Sequence, residues 1–287
     1  MTVADNTGFK AACIQITAGR EMLPNLEQAA ALIREAAAAG AQVVMTPENT
    51  SIIEPDKSLA VKKAFPEAAH PGMPLFADLA RDLNIWLSIG SMAIRLDNRK
   101  LANRSFLFGP DGLLRARYDK IHMFDVDLPN GEVYRESATM QPGDQAVIAE
   151  TPWGKLGLTI CYDLRFAYLY RALAQAGAAF LTVPAAFTVP TGEAHWHVLL
   201  RARAIETGCF VFAAAQCGTH AEGRRTYGHS LIVAPWGEIL ADAGSEPGFI
   251  LADIDTAKVA AARGAVPALR HDRPFAEPII RTFATPS

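Results

Sequence analysis

Short apolar runs alternate with helical patterns along the whole chain, and this alternation constrains the fold more than any other feature. Phe9–Thr17, Gln42–Met45 and Ile85–Ile94 have the length and composition of buried strands. Asn25–Ala39 and Leu75–Leu83 lie between them and have helical periodicity. Strands and helices that alternate in this order predict an α/β fold.

No Ser/Gly-rich linker or low-complexity segment divides the 287 residues, half of which are apolar. That apolar content is ample for a sizeable core, and single α/β domains of this length are common. We therefore expect one domain over residues 1–287, with a core of about 9–256. The stretch 257–287 is rich in Pro and Arg and weakly periodic, so we expect it on the surface or against a partner subunit.

The chain also contains a faint internal repeat. Ala39–Pro47 resembles Ala176–Pro184, and each has the pattern of a helix end, a buried strand and then Pro. Ser105–Gly112 resembles Ser230–Gly237, and both are strand-like runs that enter a Pro-x-Gly turn. The segments occur in the same order in both halves, which predicts two sheets packed face to face with helices outside. Chance similarity between short α/β segments is the alternative.

Charge and cysteine content exclude several classes of protein. The formal net charge of −3 gives no broad attraction to nucleic acid or anionic membrane. No apolar run reaches the ~18 residues of a spanning helix, and the first ten residues lack the features of a secretory signal. The four cysteines are scattered, so neither a disulfide framework nor a thiolate zinc site is expected. We expect a cytoplasmic protein without nucleic-acid or membrane partners.

Cys161 ends the apolar run that begins at Leu156, and polar residues follow it at once. This pattern predicts a buried strand that delivers a thiol into a turn. A thiol there, with the free N–H of Tyr162 beside it, has the geometry of a nucleophile with part of an oxyanion site. The alternative is a small core residue, since free cysteine is among the most buried residue types. We interpret the other cysteines, which lie in apolar strand runs, as core residues: Cys13, Cys209 and Cys217.

Three further polar residues fit the same chemistry. Glu48 follows a predicted strand in Met-Thr-Pro-Glu-Asn, and the matching position of the second repeat is Ala185. Lys120 follows the first Pro-x-Gly hairpin, and Glu136 precedes a Gln-Pro-Gly-Asp turn. Taken singly, each is more typical of a solvated surface residue.

Together these residues could perform acyl transfer through a thioester. Glu48 could take the proton of Cys161 if burial raises the pKa of its carboxyl. The Lys120 ammonium and the Tyr162 N–H could hold the oxyanion. Glu136 could orient Lys120 or the attacking water. The spacing of these residues along the chain does not show whether they meet in space.

The motifs Pro47-Glu48, Lys120-Ile-His122 and Cys161-Tyr-Asp-Leu-Arg165, with Glu136 between the last two, resemble those of the nitrilase superfamily of carbon–nitrogen hydrolases. The resemblance runs from about Phe9 to Pro274. It implies a four-layer αββα sandwich with an internal two-fold pseudo-repeat, and catalytic roles for Glu48, Lys120, Glu136 and Cys161. It further implies no metal or organic cofactor and a homodimer or homotetramer.

Within the superfamily the chain is most similar to the Nit branch, which in some animals is fused to a Fhit domain. Four segments carry this similarity: Phe187–Thr207, Ala213–His220, Tyr227–Ser230 and Pro235–Gly237. The similarity implies hydrolysis of deaminated glutathione to 2-oxoglutarate and cysteinylglycine.

Three alternatives stay open. They are an ω-amidase acting on 2-oxoglutaramate or 2-oxosuccinamate, a nitrilase acting on a small nitrile, and a non-catalytic scaffold. We expect the substrate-binding residues to include Tyr162, Arg165, Phe187 and Thr188.

Two segments bear on substrate choice. Ala167-Tyr-Leu169, just after the nucleophile, stands where many relatives carry Pro-Glu-Leu. Asp125–Tyr134 is predicted to be a lid loop.

Several other polar residues have weaker claims to function. His195 and His197 do not share a helix face, so a metal pair is not expected. Arg201 and Arg203 lie in a helical pattern and are interpreted as structural or interface residues. Three histidines could replace Glu48 as the base of a Cys–His hydrolase, although the Glu/Lys pattern disfavours this: His122, His195 and His229.

Overall fold

Two six-stranded sheets form the centre of the protein, which a computed structural model describes for residues 8–97 and 100–281. The strands are β1 (Gly8–Gln15), β2 (Val43–Met45), β3 (Trp86–Arg95), β4 (Leu101–Phe108), β5 (Leu114–Asp119), β6 (Asp125–Asp127), β7 (Val133–Arg135), β8 (Val147–Thr151), β9 (Gly154–Leu158), β10 (Ala178–Thr182), β11 (Phe210–Ala213), β12 (Cys217–Thr219), β13 (Arg225–Tyr227), β14 (Leu231–Val233), β15 (Ile239–Asp242) and β16 (Gly248–Asp255). The helices are α1 (Met22–Ala38), α2 (Lys57–Lys63), α3 (Gly72–Asp82), α4 (Ala167–Gln175), α5 (Val189–Thr207) and α6 (Ala257–Ala265).

The two large sheets repeat one topology. The first has the order β16-β1-β2-β3-β4-β5, and the second has the order β15-β14-β11-β10-β9-β8. In each half three parallel strands are followed by two antiparallel ones, namely β1 to β5 in the first half and β9, β10, β11, β14 and β15 in the second. An antiparallel strand flanks each set, because β16 pairs with β1 as β8 pairs with β9. The internal repeat predicted from the sequence is therefore confirmed.

The strands bury both faces, and each face packs against a different layer. Phe9 and Cys13 of β1 face the second sheet, where the Phe9 ring lies 5.3 Å from that of Phe180. Ala12 and Ile14, on the opposite face of β1, lie in the core that this sheet forms with α1 and α3. Helices α4 and α5 cover the outer face of the second sheet. The layers are thus helix, sheet, sheet, helix, as the predicted αββα fold requires.

Helix starts are the least accurate of the predicted boundaries. Helices α1 and α3 begin at Met22 and Gly72, each three residues before its predicted first residue, and each ends one residue early. Pro24 and Pro74 lie in the first turns of these helices. The ring is tolerated there because first-turn N–H groups have no partner within the helix.

The segment after β16 lies along the surface. It forms α6 and a single 3-10 turn, and Asp272 pairs with Arg171 of α4. Phe275 and Ile280 are more than nine-tenths exposed. Up to residue 281 the tail thus lies on the surface of the single chain, while residues 282–287 of the predicted tail and the first seven residues lie outside the described part. No helix within the described residues has the length and apolar character needed to cross a bilayer.

Candidate active site

Polar side chains from both halves meet in a cavity of about 460 Å³. Seven of the eight residues expected in the site line it: Glu48, Lys120, Glu136, Cys161, Tyr162, Phe187 and Thr188. The structure thus joins residues that are up to 140 positions apart in the sequence.

Cys161 stands in a sharp turn after strand β9. Its φ of 50° is a left-handed conformation that a non-glycine residue adopts at a cost. The Cys161 N–H donates to Pro184 O at 2.8 Å, and a 3-10 turn runs from Cys161 to Arg165. Within the described part of the chain the Tyr162 N–H donates to no other group. The turn therefore presents the buried thiol and a free N–H to the cavity.

Asp163 holds this turn in place. Its fully buried carboxylate accepts hydrogen bonds from Ile160 N at 2.8 Å and from Tyr118 Oη at 2.7 Å. It also bonds the backbone N–H of His122 at 3.1 Å and the His122 Nδ1 at 2.7 Å. Four bonds to one carboxylate tie the turn to strand β5 and to the segment after it.

Glu48 lies three residues beyond the end of β2 and is 3% exposed. Its Oε1 accepts hydrogen bonds from Lys120 Nζ at 3.0 Å and from Asn103 Nδ2 at 2.8 Å. Its Oε2 accepts the N–H of Ala186 at 3.0 Å, and the Cys161 thiol lies close enough for each group to shift the pKa of the other. The carboxylate is therefore fixed beside the thiol.

Lys120 bridges the two glutamates. Its Nζ lies 3.0 and 2.9 Å from the two oxygens of Glu136, which also accept Asn103 Nδ2 at 3.2 Å and the N–H of Phe124 at 2.6 Å. Only 2% of Lys120 is exposed. Burial alone would lower the pKa of its ammonium, but Glu136 and Glu48 together raise that pKa well above its ordinary value. Lys120 is therefore a fixed positive charge.

The balance of burial and charge also sets the state of Glu48 and Cys161. Burial raises the pKa of Glu48, but Lys120 and hydrogen bonds from Cys161, Lys120 and Asn103 outweigh it, so the net shift is downward. Burial and the nearby Glu48 charge raise the pKa of Cys161 well above its ordinary value. The condition that the sequence analysis set for Glu48 as the base, a pKa raised by burial, is therefore not met, because the net shift is downward. The resting pair is a carboxylate and a neutral thiol.

The remaining expected residues differ in position. The rings of Tyr162 and Phe187 form part of the cavity wall, and Thr188 lines it next to them. Arg165 lies outside the lining, with its guanidinium 5.9 and 5.6 Å from these two rings and its Nη2 3.3 Å from His195 Nδ1. The predicted lid is the hairpin β6–β7, from which Val133 and Tyr134 reach the cavity.

The sequence reasoning missed three residues of this region: Asn103, Asp163 and Arg224. Asn103 bonds both glutamates, and Arg224 lines the cavity. Asn103 carried a usable signal, because it is a polar residue inside the buried strand β4. Asp163 lies within the motif that follows Cys161, but its role depends on contacts with a distant segment, and Arg224 gave no signal.

The other candidates have structural contacts. Arg203 donates to Leu164 O at 3.0 and 2.7 Å, and Arg201 donates to Gly237 O at 2.8 Å, as expected of structural residues. No histidine is among the described residues that line the cavity. The three remaining cysteines are buried, which confirms their interpretation as core residues: Cys13, Cys209 and Cys217.

One group of side chains outside the cavity could hold a metal ion. His197 Nε2 and His229 Nδ1 lie 3.1 and 2.9 Å from the carboxylate of Asp242. His195 is not part of this group. The hydrogen bonds to Asp242 already account for the arrangement, so the geometry alone does not call for a metal.

Comparison with known sequences shows the family of this chain. The profile of the family described as carbon-nitrogen hydrolase matches residues 10–264. Deaminated glutathione amidase of Yersinia enterocolitica is 42% identical over 91% of this chain and 92% of its own. Human omega-amidase NIT2 is 40% identical over 93% of this chain and 96% of its own.

Solved structures share the fold. The Caenorhabditis elegans NitFhit protein superposes with a TM-score of 0.87 at 36% identity, over 93% of this chain, which spans 65% of the NitFhit chain. An amidase of Nesterenkonia sp. AN1 from the nitrilase superfamily, solved with the acetamide moiety of fluoroacetamide covalently added at its active site cysteine, has a TM-score of 0.78 at 26% identity over 95% of this chain and 97% of its own. By sequence and by fold, the chain belongs to the carbon–nitrogen hydrolase family.

Proposed function

We propose that the protein is an amidase that cleaves a linear amide through a thioester on Cys161. The observation that carries this proposal is that the Cys161 thiol, the Glu48 carboxylate and the Lys120 ammonium line one cavity, with Lys120 Nζ 3.0 Å from Glu48 Oε1. This arrangement contains a nucleophile, a base and a fixed positive charge within one cavity. No histidine competes for the role of base among the described lining residues.

In the acylation step the sulfur of Cys161 attacks the amide carbonyl carbon while its proton passes to Glu48. The carbonyl oxygen becomes an oxyanion, which the Lys120 ammonium and the Tyr162 N–H stabilise. The intermediate collapses when the C–N bond breaks, and Glu48 returns the proton to the departing nitrogen. The products of this step are the free amine and an acyl thioester.

In the hydrolysis step Glu48, again a carboxylate, takes a proton from water as the water oxygen attacks the thioester carbon. The second tetrahedral intermediate expels the sulfur, which regains its proton from Glu48. Glu136 acts through Lys120, because both of its oxygens hold the ammonium in place. The neutral resting thiol suits this scheme, since proton transfer accompanies attack and no preformed thiolate is needed.

The proposed substrate is deaminated glutathione, which would yield 2-oxoglutarate and cysteinylglycine. The identity to the Yersinia amidase, 42% over nearly the whole chain, supports this choice. An ω-amidase acting on 2-oxoglutaramate is the second candidate, because omega-amidase NIT2 is 40% identical over a similar span. Both substrates present a 2-oxo acid linked through an amide, so they share the acyl half.

The proposal is tested by kcat/KM on deaminated glutathione, 2-oxoglutaramate, 2-oxosuccinamate and a small nitrile, with trapped intermediates analysed by mass spectrometry. We expect deaminated glutathione to give the largest kcat/KM and a 2-oxoglutaryl adduct on Cys161. A larger value for 2-oxoglutaramate would assign the ω-amidase function. Turnover without any adduct on Cys161 would refute the thioester mechanism, and no turnover of the whole panel would favour the scaffold.

We further propose a cytoplasmic homodimer or homotetramer built from one domain, with a core of about 9–256. Val198 and Ile205 of α5 are more than half exposed, as is Trp236 nearby, so an apolar strip lies on the outer helical layer. Such a strip is typical of a subunit interface. Light scattering should give a multiple of the 30.9 kDa chain mass. Val198→Asp should shift the mass toward the monomer, and a monomeric parent protein would refute the assembly.

A further inference from the structure

Arg224 is another cation of the cavity lining, and its surroundings differ from those of Lys120, which is held by two glutamates. It follows the short 3-10 turn Ala221–Gly223 and is half-buried in the lining. Its guanidinium carbon lies 5.7 Å from the centre of the Tyr134 ring on the lid hairpin. Within the described part of the chain its side chain makes one hydrogen bond, a long one from Nη2 to Ala186 O at 3.4 Å. Its Nε is buried and has no partner among the described residues.

Among the described residues Arg224 has no carboxylate partner, and the half-buried Arg165 and Arg263, which also lack one, lie outside the cavity lining. Arg20 pairs with Glu54 and Glu222, and Arg104 pairs with Glu67 and Asp119. A guanidinium is always charged at physiological pH, and its fork of donors matches a carboxylate. A half-buried guanidinium without a carboxylate therefore lacks the group that usually offsets its desolvation.

Arg224 lies within reach of the reacting groups. The carbonyl of Ala186 accepts Arg224 Nη2, while the N–H of the same residue donates to Glu48. The backbone of one residue, Ala186, thus separates the guanidinium from the base, which places Arg224 Nη2 within about 10 Å of the Glu48 carboxylate. A carboxylate a few bonds from the scissile carbon would span this distance.

The charges of the cavity also favour an anion at Arg224. Beside Cys161 the two carboxylates of Glu48 and Glu136 face one ammonium, so a substrate carboxylate placed there would be repelled. The other cations of the lining, Lys57 and Arg135, are exposed, and Arg135 already pairs with Asp127. Arg224 is the positive group that is both half-buried and without a carboxylate in the described lining.

We propose that Arg224 binds a carboxylate of the amide substrate and so restricts the enzyme to anionic amides. The inference rests on the proposed amidase function and deepens it. Arg224 forms the ion pair through its Nε and a terminal nitrogen, on the same side of the cavity as the Tyr134 ring. Deaminated glutathione has two candidate carboxylates, one on the acyl half and one on the cysteinylglycine leaving group.

The loop before Arg224 is built to hold it. Arg20 bonds Glu222 at 2.7 Å and Glu54 at 3.3 Å, and Lys63 bonds Glu54 at 3.0 Å. His220 at the start of the loop bonds Ala18 O at 2.8 Å. These contacts fix the backbone on one side, so a substrate meets a positioned guanidinium and orders little on binding.

The test compares Arg224→Gln and Arg224→Lys with the control Arg225→Gln. Arg225 is the next residue in the chain, is exposed and does not line the cavity. Four amides are assayed with each. Deaminated glutathione has both carboxylates, 2-oxoglutaramate has only that of the acyl half, N-butanoyl-cysteinylglycine has only that of the leaving group, and butanamide has none. Circular dichroism checks that each variant is folded, and Arg224→Lys carries the test if Arg224→Gln is not.

We expect Arg224→Gln to lower kcat/KM for deaminated glutathione about 100-fold, mainly through KM, and to leave butanamide within about threefold of the parent. Arg224→Lys should recover part of the loss, because a cation without the fork remains. A loss on 2-oxoglutaramate assigns the acyl carboxylate, and a loss only on N-butanoyl-cysteinylglycine assigns the leaving group.

Equal losses on butanamide, or no loss on any carboxylated amide, would overturn the assignment. A failure of the proposed function can be told apart from a failure of the Arg224 assignment. If the parent protein does not hydrolyse deaminated glutathione, the ratio between 2-oxoglutaramate and butanamide still tests Arg224.

Discussion

The two halves of the protein share one backbone arrangement and differ in what they place at matching positions. Met45 pairs with Cys13 in the first half, and Thr182 pairs with Leu158 in the second. Three residues beyond the first pair lie Glu48 and Ile16. Three residues beyond the second lie Ala185 and Cys161.

Each half therefore has the two positions of the reactive pair and fills only one of them with a reactive group. Glu48 comes from the first half and Cys161 from the second, and the other two positions hold the apolar residues Ala185 and Ile16. The packing of one sheet on the other brings the pair together. The comparison teaches that the repeat provides the framework, whereas the chemistry requires both halves.

Cys161→Ala should give the largest effect, because it removes the proposed nucleophile. We expect kcat on deaminated glutathione to fall about 10⁴-fold or more. Ile16→Val, at the matching position of the first half, should leave kcat within about threefold. If both variants keep their activity, the difference between the halves has no catalytic meaning.

Glu48→Gln should be next, since it keeps the shape of the side chain and removes the base. General acid–base catalysis typically contributes 10²–10⁴-fold, so kcat should fall about 1,000-fold. Glu35→Gln, on the exposed face of α1, is the matched control. A fall of less than tenfold would assign the proton transfer to another group.

Asp163→Asn tests the turn at Cys161, which distinguishes this position from the matching position Ile16 in the first half. The amide cannot accept all four hydrogen bonds, so kcat should fall about 10- to 100-fold through misplacement of the thiol. The free energy of unfolding should fall by about 2 kcal/mol in urea titrations. Asp253→Asn, on an exposed edge, should change neither quantity. Unchanged kcat in Asp163→Asn would show that the turn needs no such anchor.

The change of kcat/KM with pH should be the smallest of these effects, and it should identify the base. The pKa of Glu48 is lowered from the ordinary value for glutamate, which is about 4.3. The carboxylate therefore stays available as a base until the pH falls through that lowered pKa. We therefore expect kcat/KM to stay within about twofold from pH 8 to pH 5. A Cys–His pair would instead lose activity as the pH falls through about 6.5. A loss with a midpoint near that value would contradict the role of Glu48.

Much of the fold was accessible from the sequence, because periodicity reports which faces of each element are buried. The strand and helix alternation and both repeat segments were predicted correctly. The starts of α1 and α3 were not, because both helices begin three residues earlier and include Pro24 and Pro74 in their first turns. The pairing of β16 with β1 was also inaccessible, because no local pattern specifies a partner more than 200 residues away.

The four proposed catalytic residues were found through their motifs, and their meeting in one cavity came only from the structure. The direction of the Glu48 pKa shift could not be predicted, because burial and the Lys120 charge act in opposite directions and only distances decide between them. Arg165 was placed beside the substrate by its closeness to Cys161 in the chain. In the structure it lies across the aromatic rings from the cavity.

Strand β16 completes the sheet of the first half although it is the last strand to be synthesised. In the first sheet Gly8 pairs with Asp255, which lies far from it in the sequence. All six strands of the second sheet lie within Val147–Asp242. On the ribosome the half that holds the thiol can assemble first, while the half that holds the acid keeps an open edge until Asp255 emerges. The order of translation would thus delay the point at which Glu48 and Cys161 come together. A circular permutant that opens between β15 and β16 would synthesise β16 first and remove that delay while keeping every strand pair.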